Sequence, residues 1–219
     1  MPSVSGTERG KAPRSVVSSP DASRAPLDGR RSRDREVIET AVRLFSEKGY
    51  ASTSVQDVAD ALGMLKGSLY YYIDTKETLL RKIFEDSHAE VSAIAEAHRH
   101  VKGSAIENLA RFLHEYAFWY LTHLQRASLF AREWRHSSPD VRIEMTAQRR
   151  YYDEVLKELI ESAREEGAID ADLDIQLATY FIMSAVSSLP DWFSPDGKNA
   201  AKDVASSYAQ MAIMLLAPR

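Results

Sequence analysis

The sequence of 219 residues contains no cysteine. That absence removes disulfide scaffolds, cysteine-ligated zinc and thiol nucleophiles together, and it fits a reducing compartment. Proline is missing between Pro26 and Pro139, and the later glycines are sparse, at Gly49, Gly63, Gly67, Gly103, Gly167 and Gly197. Helix interiors tolerate neither residue well, so long stretches without them read as helix and the exceptions as punctuation. No apolar run approaches the roughly 18–20 residues that cross a bilayer. MAIMLLA near the C-terminus is among the longest, and the opening MPSVSGTERGKAPRS lacks the apolar centre of a signal peptide. An excess of positive charge is missing too. With 28 Lys and Arg against 32 Asp and Glu, the formal net charge is −4, which argues against coating nucleic acid by bulk charge. A local reader of DNA survives that argument, because the charge of one face decides it.

Chemical motifs are equally scarce. The histidines, His88, His98, His100, His114, His123 and His136, form no H-E-x-x-H pattern. No G-x-S-x-G elbow, phosphate-binding loop or dinucleotide fingerprint occurs. Asp170, Asp172 and Asp174 lack the glycine and terminal glutamate of a calcium loop, and read as a polar link and helix cap. The expectation is a cytoplasmic protein that is not an enzyme, with no cofactor, no metal and no membrane partner.

Residues 1–33 differ from the rest. They hold seven Ser, four Pro and three Gly, with seven basic side chains against three acidic ones. So little apolar surface does not offset ordering entropy, and the segment reads as a flexible basic tail. It is either a tolerated extension or an arm that contacts phosphates, with Arg30, Arg31 and Arg33 nearest the folded part. Beyond it, apolar residues recur at helical spacing, as at Ile38, Ala41, Val42 and Phe45, or Val55, Val58, Ala59 and Leu62. The expected fold is all-α, with helices over 34–48, 54–62, 66–73, 75–98, 104–123, 126–136, 139–166, 174–189 and 199–216. A small helical domain over 34–82 would precede a helical bundle over 83–219.

The second and third helices carry the specific pattern. Thr53 and Ser54 supply capping hydroxyls for VQDVADAL, and Gly63 ends that helix where a tight turn needs a positive φ. A short helix follows, KGSLYYY from Lys66 to Tyr72. Leu69 and Ile73 can anchor it on Val58 and Leu62, leaving Lys66, Ser68, Tyr71 and Tyr72 on other faces, as a major-groove reader requires.

These residues resemble the tetracycline-repressor (TetR) family of transcriptional regulators. The likeness runs from Arg35 to Lys82 through FSEKGYASTSV, DVADALGM, KGSLYYYI and KETLL. It implies that Thr53 and Ser54 touch phosphate, and that Lys66, Gly67 and Ser68 open the recognition helix. It also implies that Tyr70 packs or touches backbone, that Tyr71 and Tyr72 reach bases or phosphates, and that Lys76 contacts phosphate. Leu65, Tyr72 and Ile73 depart from the family's usual Ser, His and Phe. The implied partners are a palindromic DNA operator, a small hydrophobic or acyl-CoA-type inducer and a second copy of the chain.

The remainder has no motif of that sharpness. Tyr116, Tyr120, Phe130, Trp134, Tyr152 and Met183 are the candidates to line an inducer cavity, against the alternative that each is simple core. REWRHSSPDVR and LPDWFSPDGKNAAKDVASSYAQM are similar to a TetR branch that answers to acyl-CoA thioesters. Arg126, Arg132, Arg135, Arg149 and Arg150 would meet the ligand's phosphates, unless they belong to solvated helix faces. Ile175, Ala178, Phe181, Ile182, Ala185 and Val186, with Met211, Ile213, Met214, Leu215 and Leu216, are candidates for the dimer interface or for the chain's own core. The different-class alternative is an all-helical carrier or enzyme with an incidental helix-turn-helix.

Overall fold

The computed structural model describes residues 25–218, and side chains from residue 32 onward except residue 136. The tail expected over residues 1–33 therefore lies mostly outside the described residues. Its last part is helical, since α1 runs Ala25–Lys48 rather than beginning at residue 34. Pro26 sits in the first turn, the one place where a helix does not need its missing N–H.

The chain continues through α2 (Val55–Ala61), α3 (Lys66–Leu69), α4 (Lys76–Arg99), α5 (Ala105–Thr122) and α6 (Leu124–Arg132). A one-turn 3-10 helix, Trp134–His136, leads to α7 (Pro139–Glu165), α8 (Ile175–Ser187), α9 (Leu189–Trp192) and α10 (Ala201–Leu216). Among the described residues there is no strand, so the fold is all-α. Two helices expected to be continuous are broken. The sixth stops at Arg132 and passes into the 3-10 turn. The eighth stops at Ser187, because Pro190 has no N–H for the carbonyl four residues back and its ring crowds that carbonyl.

Starts and stops follow local chemistry. Ser54 caps α2 in a reciprocal capping box with Asp57. Thr75, Ser104, Ser138 and Asp174 accept from the N3 amides of α4, α5, α7 and α8. Asp170 accepts from the Asp172 amide, so the acidic trio forms the polar link and cap expected of it. Gly63, at φ 63°, makes the turn between α2 and α3 that a Cβ would strain.

Burial sorts into two cores. The first joins α1–α4 through Val37, Ala41, Phe45, Val58, Leu69, Ile73, Leu80 and Phe84. It also takes in Leu129 of α6 and Val141 and Met145 of α7. The second lies among α4, α5, α7, α8 and α10, around Val91, Phe112, Leu113, Leu156, Ile160 and Ala205. The 24 residues of α4 belong to both cores, and span about 36 Å at the helical rise. Residue 82 falls inside α4, as the helix expected over 75–98 implies.

Candidate DNA-reading face and ligand cavity

The second and third helices present one polar face. Leu69 and Ile73 are buried against Val58, so the recognition helix is anchored as its spacing requires. Ser54, Lys66, Gly67, Ser68, Tyr70 and Tyr71 are exposed, and Tyr72 is half-buried on the core. Tyr71 projects furthest of the tyrosines, 72% exposed, with the Tyr72 ring edge-on at 5.8 Å. The Lys66 ammonium sits 5.9 Å from the Tyr70 ring. The α3 helix is shorter than expected, a single turn that closes through 3-10-type bonds from the Tyr71 and Tyr72 amides. Leu65 makes no side-chain cap and is exposed.

Two candidates on this face are committed to the fold. Thr53 is buried, and its hydroxyl donates to the carbonyls of Gly49 (2.9 Å) and Leu44 (3.3 Å). It fastens the end of α1 to the start of α2, so its side chain is not presented to a phosphate. The Lys76 ammonium donates to the carbonyls of Tyr50 (2.8 Å) and Ala51 (3.3 Å), above the Tyr50 ring. Only one of its three N–H bonds remains for a phosphate. Lys82, which spacing alone did not single out, donates to the Tyr72 carbonyl at 2.9 Å and ties α4 to the recognition turn. Hydrogen bonds from Ser54 hold the Asp57 carboxyl below its usual range, so the capping box keeps its charge at neutral pH.

In the second domain, α5–α9 line a cavity of about 280 Å³. Tyr116, Tyr120, Phe130, Tyr152 and Met183 line it together, while Trp134 does not. On a continuous helix Trp134 would share a face with Phe130 four residues earlier. After the break at Arg132 it packs on the first core, with the guanidiniums of Arg135 and Arg149 at 5.2 and 5.5 Å from its ring. The wall also holds Ala131, Arg135, Arg149, Asp153, Ser184, Ser187, Ser188 and Asp191, which no local motif marks. Of the five candidate arginines, Arg135 and Arg149 are in the wall, and Arg132 pairs with the wall residue Asp191 at 3.0 Å. Arg150 is exposed and outside the lining. Arg126 is elsewhere, bridging Glu39 of α1 and Glu90 of α4.

Burial pushes the phenols of Tyr116, Tyr120 and Tyr152 up, so all three keep their protons at neutral pH. The Tyr116 and Tyr120 hydroxyls lie 3.3 Å apart. The Tyr152 hydroxyl meets Nδ1 of His88 on α4, whose pKa burial lowers, favouring the neutral ring. The cavity also touches the first core directly. Phe130, one of its walls, packs edge-on against the buried Phe84 of α4, with ring centroids 5.8 Å apart.

A third surface lies on α8 and α10. Leu177, Tyr180 and Phe181 share one face at i, i+3 and i+4, as do Met211, Met214 and Leu215, and all six are exposed. Phe181 and Met211 border one apolar groove of about 200 Å³, so the two faces adjoin. Ile175, Ala178, Ile182, Val186 and Leu216, from the same helices, are buried in the chain's own core.

Comparison with known proteins agrees with this architecture. Residues 37–83 match the family described as bacterial regulatory proteins, tetR family, and residues 102–216 match the tetracyclin repressor-like C-terminal domain. The transcriptional repressor KstR2 of Mycobacterium tuberculosis is 29% identical over 192 residues, covering 84% of this chain and 92% of the relative. The TetR-family regulator PfmR of Thermus thermophilus superposes with a TM-score of 0.75 at 30% identity, over 81% of this chain and 97% of that one. AibR, in complex with isovaleryl coenzyme A and operator DNA, shares the fold at TM-score 0.73 and 24% identity, over 85% and 98% of the two chains. A helix-turn-helix joined to a regulatory bundle defines the class, a transcriptional regulator. The chain belongs to the tetR family of bacterial regulatory proteins.

Proposed function

We propose that the chain is a cytoplasmic, dimeric repressor that acts by binding alone, and that an acyl-CoA thioester in the α5–α9 cavity releases it from a palindromic operator. The observation that carries this reading is the shared residue Phe130, at once a wall of the cavity and a neighbour of Phe84 in the DNA-domain core. A ligand that displaces Phe130 acts on α4 and, through Leu129, on the core beneath the recognition helix. Differential affinity for the two arrangements sets the size of the response.

Arg132, exposed beside the cavity, suits the coenzyme's phosphates, while the cavity, with Arg135 and Arg149 in its wall, suits the thioester end. The complex of AibR with an acyl-CoA and operator DNA supports this choice on the same fold. The adjoining faces of α8 and α10 supply the two-fold contact that places two recognition helices on successive major grooves. The test is fluorescence anisotropy on a duplex from the chain's own promoter, with and without saturating acyl-CoA thioesters. Specific binding that the thioester weakens supports the reading. Binding indifferent to every thioester removes the inducer, and no preference over scrambled duplex removes the repressor.

A further inference from the structure

Of the thirteen residues around the α5–α9 cavity, only Phe130, Ala131 and Met183 lack a polar side-chain group. The groove between α8 and α10 is the opposite, with Tyr208 its sole polar side chain. The apolar depression is thus the groove on α8 and α10, not the α5–α9 cavity. Among the described residues, the half-buried Asp153 carboxylate in the cavity feels the charge of Arg149 but accepts no hydrogen bond. The Tyr116–Tyr120 contact uses one of two phenolic protons, so one donor also remains. A saturated chain lying here would leave a carboxylate and a phenol desolvated without partners, which binding sites penalise heavily. A ligand hydroxyl answers both, donating to the carboxylate and accepting from the phenol. Size restricts the ligand further. At about 280 Å³ the cavity lies at the small end of the roughly 300–1,000 Å³ of pockets that take drug-sized ligands.

We infer that the inducer's acyl group is short and carries an oxygen function, a hydroxyl above all, recognised by Asp153 and the Tyr116–Tyr120 pair. This rests on the thioester reading above.

Isothermal titration of the full chain with hexanoyl-CoA, 3-hydroxyhexanoyl-CoA and palmitoyl-CoA tests it. The hydroxylated thioester should bind at least tenfold tighter than hexanoyl-CoA, and palmitoyl-CoA no tighter than hexanoyl-CoA. Asp153→Ala and Tyr120→Phe, each checked by its melting curve, should shrink the preference to under threefold. Equal affinity for the two six-carbon thioesters, or tightest binding of palmitoyl-CoA, overturns this inference and leaves the thioester reading standing. Silence from all three overturns both.

Discussion

The two ends of the molecule are built on opposite plans. Residues 1–82 carry a formal charge of +3 and residues 83–219 a charge of −7. The positive value belongs to the tail, since residues 34–82 alone hold seven basic and eight acidic groups. Most of those seven are occupied. Arg43 pairs with Glu47, Lys48 with Asp57 and Arg81 with Glu144, while Lys76 and Lys82 donate to carbonyls. The DNA end commits its polar groups to holding a shape. The ligand end engages most of its wall too, Tyr152 with His88, Ser187 and Ser188 with backbone carbonyls and Asp191 with Arg132, but leaves the Asp153 carboxylate and one proton of the Tyr116–Tyr120 pair over. A helix-turn-helix must be rigid before DNA arrives, whereas a sensor keeps unmet hydrogen-bonding capacity for its ligand.

The largest predicted effect breaks the link between the two ends of two chains. Phe181→Asp combined with Met214→Asp puts charges on the adjoining apolar faces. Light scattering should report a monomer, and affinity for the promoter duplex should fall at least a hundredfold, because two half-sites need a two-fold axis. A dimer that survives both changes would place the interface elsewhere.

The next effect is confined to the DNA end. Lys66→Ala and Tyr71→Ala should each cost about tenfold or more in specific affinity, in line with roughly 1–3 kcal/mol for a base contact. Melting temperature should stay put, since both side chains are exposed.

A smaller effect concerns salt. With so few unengaged cations on the described DNA face, the tail should supply much of the phosphate attraction. Replacing Arg9, Lys11, Arg14 and Arg24 by Gln should flatten the slope of log affinity against log salt by about 0.9 for each phosphate that is no longer neutralised. An unchanged slope makes the tail a bystander.

The smallest effect on DNA, and an informative one, is at Thr53. Thr53→Val leaves the Leu44 and Gly49 carbonyls without their hydroxyl donor and should cost about 1–3 kcal/mol of stability. DNA affinity of the folded protein should not change. Weaker DNA binding at full stability would return Thr53 to the phosphate contacts that family resemblance implies.

The same contrast governs what the sequence discloses. The helix-turn-helix is legible because its signals are local: a capping hydroxyl, a glycine at the turn, and anchors four residues apart. Legibility stops at the side chain's partner. Nothing near Thr53 or Lys76 tells that the hydroxyl turns inward or that the ammonium closes on carbonyls 25 and 26 residues away. In the ligand end, aromatic content points to four wall residues, Tyr116, Tyr120, Phe130 and Tyr152. It fails at Trp134, because helical spacing holds only along a continuous helix and the chain breaks before that residue. The polar wall is invisible to periodicity, because Asp153, Ser184 and Asp191 come from α7, α8 and α9 and meet only in space.

The central claim is that cavity and DNA face are coupled through Phe130, and linkage makes that claim reciprocal. Thioester affinity measured with and without saturating operator duplex tests it most directly. DNA should weaken the thioester by the same factor by which the thioester weakens DNA, and Phe130→Ala should bring both factors toward one. A thioester that binds equally well whether or not the operator is bound would contradict it.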